Sequence, residues 1–294
     1  MQFDNPLIIQ SDRTLLLDVH APLANDCRND LIPFAELEKS PEHLHTYRLT
    51  PLSLWNATSA GFTPEDAIKV LEKYARYDVP QSVVFWIQET AGRFGKLKIV
   101  PGPKMQVPLK PTEVFSEETT YTGQMIEEQF LYLVASSKPI FLEISANPNL
   151  KKYISPCEYD ESVENACVEL TEDEKKYCFL LKLTDRGTIK QELLKILWPV
   201  KDEVQLEDGE PLDFSLKETT SDGKKLEIRN YQKEAAKAIV GNRGPGTGFG
   251  TIVLPCGAGK TVVGMTVMDM LKTSTLIITT NISAVHQWIN ELLD

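Results

Sequence analysis

The sequence has little that would tie it to a membrane, a metal or an oxidising compartment. No apolar run approaches the roughly 18 residues needed to cross a bilayer. The start, Met1 to Asn5, has no basic segment leading into an apolar stretch, so nothing there reads as a secretory signal. A cytoplasmic protein with no membrane partner is the default expectation. Cysteine is scarce: Cys27, Cys157, Cys167, Cys178 and Cys256, an odd five without a CxxC pair. Reduced thiols explain such a set without a disulfide framework, and with no close pair to anchor it, a metal site at Cys157, Cys167 and Cys178 is not expected. Histidine is scarcer, with four in 294 residues. His43 and His45 lie two apart on an expected strand and face one side. No Cys or third His stands near them, so a structural or hydrogen-bonding role is expected rather than metal binding.

An excess of positive charge is also missing. The net charge is −11, from 31 basic and 42 acidic residues. From Leu226 onward six basic residues balance five acidic ones, while the preceding part carries 25 against 37. A naked DNA binder is usually basic. The N-terminal part is therefore not expected to hold a phosphate backbone by charge alone.

What is present is ordinary globular material, 42% hydrophobic and 25% charged, enough for about two domains. Leu7 to Ile9 and Thr14 to Val19 read as strands around a turn, and Leu44 to Leu49 as another. Thr50-Pro51 then gives a helix cap and a first-turn proline, and Gly61 closes that helix. Thr63-Pro64-Glu65-Asp66 repeats the signal. A third helix is expected from Gln81 to Phe94, then a strand from Leu97 to Val100. Residues 1–156 thus read as an α+β domain. Cys157 to Lys176 holds eight acidic residues and little periodicity, which reads as a linker or surface loop. Beyond it, a strand from Phe179 to Leu183 and a helix from Thr188 to Leu197 suggest a small α+β module, so that residues 157–225 are expected to be an acidic linker plus that module. No internal repeat is visible.

The last segment, 226–294, changes character. A helix from Arg229 to Val240 leads into Gly241, Gly244, Gly246, Gly248 and Gly250, which read as a connector because no strand precedes them. Then come a strand Thr251–Leu254, a helix Lys260–Leu271, a strand Thr275–Thr279 and a helix Ser283–Leu293. Such alternation implies a parallel sheet. Between the first strand and its helix lies Pro255-Cys256-Gly257-Ala258-Gly259-Lys260-Thr261. Glycines let successive N–H groups turn toward one phosphate, and the helix start adds the positive end of its dipole. Lys260 can reach the β- and γ-phosphates, and Thr261 can offer its hydroxyl to Mg²⁺. The strict GxxxxGK[ST] pattern wants glycine where this chain has Leu254. The strand before and helix after support nucleotide binding all the same, with Lys260 and Thr261 as the catalytic pair and Thr261 as the metal ligand.

Two flanking features narrow the class. Upstream lies Arg229-Asn230-Tyr231-Gln232; downstream are Thr280-Asn281 and His286-Gln287-Trp288. Taken alone, Tyr231 and Gln232 read as a helix start and Trp288 as core. Together with the loop they resemble superfamily-two helicases. The run Leu254 to Thr261, with Gln287-Trp288 downstream, is similar to XPB helicases in particular. Pro6 to Asp12, Pro33 to Leu37, His43 to Ala57 and Arg186 to Leu193 extend that likeness, which is weakest between Cys157 and Lys176. The resemblance implies a partial RecA-like domain over 226–294 and ATP with Mg²⁺ as cofactors. It implies adenine recognition by the R-x-Y-Q residues Arg229 and Gln232, phosphate contacts along Pro255, Cys256, Gly257, Ala258, Gly259, Lys260 and Thr261, and DNA-backbone contacts at Thr280, Asn281 and Gln287. It also implies a 3′-to-5′ DNA helicase or translocase serving repair, a module near 172–225 placed where relatives recognise damage, and an N-terminal domain able to dock a protein partner. The expected fold is accordingly a multidomain mixture of α+β and α/β.

Hydrolysis by such motors needs a carboxylate pair after a later strand and an arginine finger from a second lobe. Neither occurs before Asp294, and Asp173-Glu174 follows no apolar strand. The expectation is a front part of a motor that holds nucleotide weakly and turns over almost none alone. The competing readings are a non-catalytic interaction module with a nucleotide half-site, and an unrelated P-loop ATPase.

Overall fold

The computed structural model of the protein describes residues 4–108, 125–163, 169–244 and 247–294. Cys167 and Gly246 lie outside these. The chain divides into two compact units, Met1–Asp202 and Glu203–Asp294.

The first unit opens with β1 (Leu7–Ile9) and β2 (Thr14–Asp18), joined by a turn in which Arg13 takes φ +74°. Next come α1 (Ala24–Leu31), β3 (Glu36–Lys39), β4 (Leu44–Arg48), α2 (Pro51–Ser59), α3 (Pro64–Tyr74) and α4 (Gln81–Ala91). The strands form an antiparallel sheet in the order β1-β2-β4-β3. Side-chain alternation decides its inner face: Leu15 and Leu17 are buried while Leu16 between them is not. The helix starts expected from the sequence form as capping boxes. Thr50 Oγ1 accepts from the Ser53 N–H at 3.0 Å and Ser53 Oγ accepts from the Thr50 N–H at 3.1 Å. Thr63 and Asp66 repeat the pattern. Leu7, Phe34, Leu54, Leu71 and Ile87 meet in one core.

A second sheet continues the same unit. It is built from β5 (Leu97–Pro108), β6 (Met125–Ala135), β7 (Ile154–Cys157), β8 (Cys178–Lys182) and β9 (Val200–Asp202), in the order β7-β8-β6-β5-β9. Only β9 runs parallel to its neighbour, β5. The helices α5 (Lys138–Ala146), α6 (Glu172–Lys176) and α7 (Arg186–Lys195) accompany it.

This sheet corrects the acidic-linker expectation. The boundary placed at 156/157 falls inside β7, and the sheet runs on to Asp202, so the compact units meet at 202/203 rather than at 156/157 and 225/226. Most of the described acidic residues here are exposed, but Glu174 is not. Thr171 and Glu174 form a capping box that starts α6. Glu174 is buried and takes a 2.6 Å hydrogen bond from Lys98 on β5, and Lys175 bonds Glu161 at 2.9 Å. Tyr159 lies against Tyr132 with ring centroids 5.0 Å apart. Composition reveals the charges but not that β5 brings Lys98 to one of them.

The second unit contains α8 (Asn230–Val240), α9 (Lys260–Leu271) and α10 (Ile282–Leu293). The parallel sheet expected here does not form among the described residues. Thr251–Leu254 and Thr275–Thr279 carry no ladder, and the pairings present are isolated bridges, Pro211 with Thr273 and Thr219 with Lys225. Strands of a parallel sheet are stable when covered on both faces. Val253, Leu276 and Ile278 are instead 87%, 86% and 85% exposed. Apolar composition suggested strands at these segments but could not supply neighbours for them, and no strand forms there.

Candidate functional site

The site grows from the junction between residue 254 and α9. Gly257 and Gly259 both sit at positive φ, +77° and +75°, in the left-handed region open to glycine. Gly259 caps α9, so the chain turns sharply and enters the helix at Lys260. The leading N–H groups of a helix have no intrahelical acceptor. Lys260 is exposed, and its Nζ donates to the Pro255 carbonyl at 3.1 Å, so the ammonium curls over the loop. Thr261, on the next residue, is half-buried. Cys256 is an exposed free thiol within the turn.

Behind the loop stands the start of α8. Gln232 Oε1 accepts from the Arg229 N–H at 2.9 Å, the reach-back of a third-position glutamine to the cap. Its Nε2 donates to the Ala258 carbonyl at 3.0 Å. The Tyr231 hydroxyl donates to the same carbonyl at 2.8 Å. A Cβ on Gly259 would lie 2.5 Å from Gln232 Nε2, so glutamine and glycine are in close apposition. Arg229, Gln232 and the run Pro255 to Thr261 are therefore brought together. Sequence placed Tyr231 only as a helix start; its tie to Ala258 had no signal beyond its place between Arg229 and Gln232.

The residues expected to touch DNA occupy the start and face of α10. Asn281 caps it, with Oδ1 accepting from the Ala284 N–H at 2.8 Å. Thr280 and Gln287 are exposed, and Gln287 Nε2 donates to Glu291 at 2.8 Å. Trp288 packs on α9, where a Cβ on Gly264 would lie 2.6 Å from its ring. A cavity of about 500 Å³ opens on the apolar face of α9, lined by Leu254, Val263, Met268, Ile277 and Trp288 among others. It reaches Lys260 at the start of α9, but its walls are otherwise apolar apart from Thr275.

Elsewhere among the described residues the buried side-chain polar atoms have partners of their own, except His45 Nδ1. His43 pairs with His20 at 2.8 Å between ring nitrogens, and among the described residues no cluster suits a metal ion. Asp202 is buried; burial alone would raise its carboxyl, but hydrogen bonds from Arg186 and Lys190 outweigh that and hold it below the usual range. Burial pushes the Cys27 and Cys178 thiols up to about 12 and Cys157 to about 11. No helix among the described residues is long and apolar enough to cross a membrane.

Comparison with known proteins gives this geometry a context. Residues 7–117 match a family model described as a helicase conserved C-terminal domain, and residues 225–294 match the res subunit of type III restriction enzymes. The chain is 36% identical over 290 residues to a protein from Mycobacterium tuberculosis named DNA 3′-5′ helicase XPB, covering 99% of this chain and 44% of that protein. A protein of the same name from Kineococcus radiotolerans is 39% identical, with 99% and 43% covered. The XPB helicase/translocase subunit of general transcription and DNA repair factor IIH from Schizosaccharomyces pombe is 29% identical, with 96% and 36% covered. The chain spans less than half the length of these relatives.

Proposed function

We propose that this chain, related to XPB-type DNA helicases over nearly its whole length, is the nucleotide-holding part of an ATP-dependent 3′-to-5′ DNA helicase or translocase that opens duplex for repair. The observation that carries this reading is the loop: two glycines at positive φ, a helix beginning at Lys260, and an exposed ammonium over the turn. These residues fit a nucleotide phosphate chain with Mg²⁺. The N–H groups from Gly257 to Lys260 and the Lys260 charge would hold phosphates, and the Thr261 hydroxyl would hold the metal. The phosphate chain, once polarised by metal and ammonium, is what such a motor cleaves. The resemblance would give the base to Arg229 and Gln232, and Gln232 lies directly behind the glycine turn.

Among the described residues no hydrogen bond or ion pair ties a carboxylate to the loop. Asp173 and Glu174 belong to α6 of the first unit, and Glu174 is committed to Lys98. These 294 residues alone should therefore bind nucleotide with hydrolysis near background. An arginine finger is worth roughly 10³–10⁵ in rate in related systems. Thr280, Asn281 and Gln287 would contribute one side of a DNA track, with low affinity in so acidic a chain.

A second reading, a protein partner for the N-terminal domain, adds to the first. The Schizosaccharomyces pombe relative is by name a subunit of a larger factor. The primary test is calorimetric titration of the chain with Mg²⁺·ADP. We expect binding that Lys260→Ala weakens at least about tenfold, as loss of a charge-assisted contact implies. Equal affinity in both proteins would overturn the assignment.

A further inference from the structure

Gln232, expected at the base end, and its neighbour Tyr231 are tied to the phosphate end. Gln232 is 5% exposed, and both ends of its amide are committed: Oε1 to the Arg229 N–H and Nε2 to the Ala258 carbonyl. Tyr231 sends its hydroxyl to that same carbonyl. Two donors from consecutive residues of α8 thus converge on one oxygen of the glycine turn.

The consequence follows from the peptide plane. In a trans peptide the C=O and the following N–H point in opposite directions. Drawing the Ala258 carbonyl toward α8 therefore aims the Gly259 N–H away from α8, into the concave side of the loop. Rotating that peptide would break both hydrogen bonds at once. The close contact of Gly259 with Gln232 adds a steric restraint, since even a methyl group would collide there. We propose that Tyr231 and Gln232 are positioning residues that latch the Ala258–Gly259 peptide so that its N–H faces phosphate, and that they serve phosphate binding rather than selection of the base. This rests on the nucleotide-binding reading above.

The discriminating ligand is inorganic tripolyphosphate with Mg²⁺, which has phosphates and no base. A base reader cannot affect its affinity; a latch must. For the intact chain we expect Tyr231→Phe to weaken tripolyphosphate about fivefold, the worth of one hydrogen bond. ADP should weaken by the same factor. Gln232→Met, which keeps the side-chain length without the amide, should act in the same direction. Tyr231 is partly exposed, so its loss of one hydroxyl should leave the melting curve in place; a merely structural role would move melting and not the tripolyphosphate titration. Should Gln232→Met fail to fold, Tyr231→Phe alone still decides. Unchanged tripolyphosphate affinity in Tyr231→Phe, with weakened ADP, would make these residues base readers and overturn the latch. Loss of tripolyphosphate binding in Lys260→Ala beside full binding in Tyr231→Phe would sink the latch while leaving the nucleotide reading standing. If the unmodified chain binds neither ligand, the nucleotide reading fails and the latch fails with it.

Discussion

The two units organise the same kinds of side chain in opposite ways. In residues 4–202 nearly every apolar strand is paired and covered, and the buried charges have partners within hydrogen-bond reach. In residues 203–294 three helices carry the order, and the apolar segments at 251–254 and 275–279 keep side chains such as Leu276 more than four-fifths exposed. Yet the candidate site is in the second unit, on a glycine turn held by two hydrogen bonds from α8. Local hydrogen bonding, not sheet burial, shapes that turn. Stability and the candidate chemistry therefore rest on different residues, and the two can be perturbed separately.

The sharpest break should come at Asp202. Its carboxylate takes two hydrogen bonds from Arg186 and one from Lys190 while 6% exposed. Removing one member of a buried ion cluster strands the others, at about 3–5 kcal/mol. Asp202→Ala should lower the unfolding free energy by that order in denaturant titration, with ADP affinity of the surviving folded protein unchanged. A loss under about 1 kcal/mol would show the cluster to be solvated in practice.

Next in size is a matched pair of leucines. Leu133 on β6 is fully buried, and Leu133→Ala should cost about 2–5 kcal/mol by lost transfer and a residual cavity. Leu276→Ala should cost under about 0.5 kcal/mol, as exposed substitutions do. Equal costs would mean that residues 275–279 are covered in solution, and the contrast between the units would dissolve.

How much of this was legible in the sequence follows the same division. Helix starts were read well because they are local: Thr50-Pro51 and Thr63-Pro64 cap the helices they announced, and Lys260 opens α9 as expected. The loop that would hold phosphate was legible for the same reason, since its glycines act on their own backbone. The second sheet was legible only in part: strands were expected at 97–100 and 179–183, where β5 and β8 form, but their pairing was not. β6 pairs with β5 on one side and β8 on the other, and no residue in it announces either partner. The acidic stretch misled because Glu174 meets Lys98 from 76 positions away. The parallel sheet expected in the last segment was a global inference from local periodicity, and its strands carry no ladder. Within the site, Gln232 was chosen for its place in R-x-Y-Q, while its link to Ala258 spans 26 residues and only the packing of α8 on α9 reveals it.

Acid should separate the units more gently. Asp202 and Glu174 both belong to the first unit. In each, burial would raise the carboxyl, but their cation partners hold it below the ordinary values of 3.8 and 4.5. A carboxylate with a depressed folded value contributes stability that is fully present above its unfolded value and is lost as pH falls through the folded one. Unfolding free energy should therefore owe these groups almost no pH dependence between 7 and about 5.5, roughly one unit above the higher of the two unfolded values. It should decline below about pH 4, less steeply in Asp202→Asn. A decline in the wild type that Asp202→Asn leaves unaltered would remove Asp202 from the account.

The smallest effect on the fold should accompany the largest chemical contrast. Cys27, Cys157 and Cys178 sit in the first unit with thiols that burial pushes up to about 12, 11 and 12, so almost no thiolate is present near neutrality. Cys256 is exposed in the turn between Pro255 and Gly257. A limiting maleimide at neutral pH should therefore reach Cys256 well before Cys27 or Cys178, which peptide mapping by mass spectrometry resolves residue by residue. Because the Cys256 side chain is exposed and the turn lies outside any sheet, the adduct should leave the melting curve within the noise of the measurement. It would nonetheless place bulk beside the N–H groups of Gly257 to Lys260, so Mg²⁺·ADP affinity should fall, and bound ADP should slow the labelling in turn. Labelling at Cys256 that is fast with and without ADP, and that leaves ADP affinity intact, would put the phosphates elsewhere than over this turn.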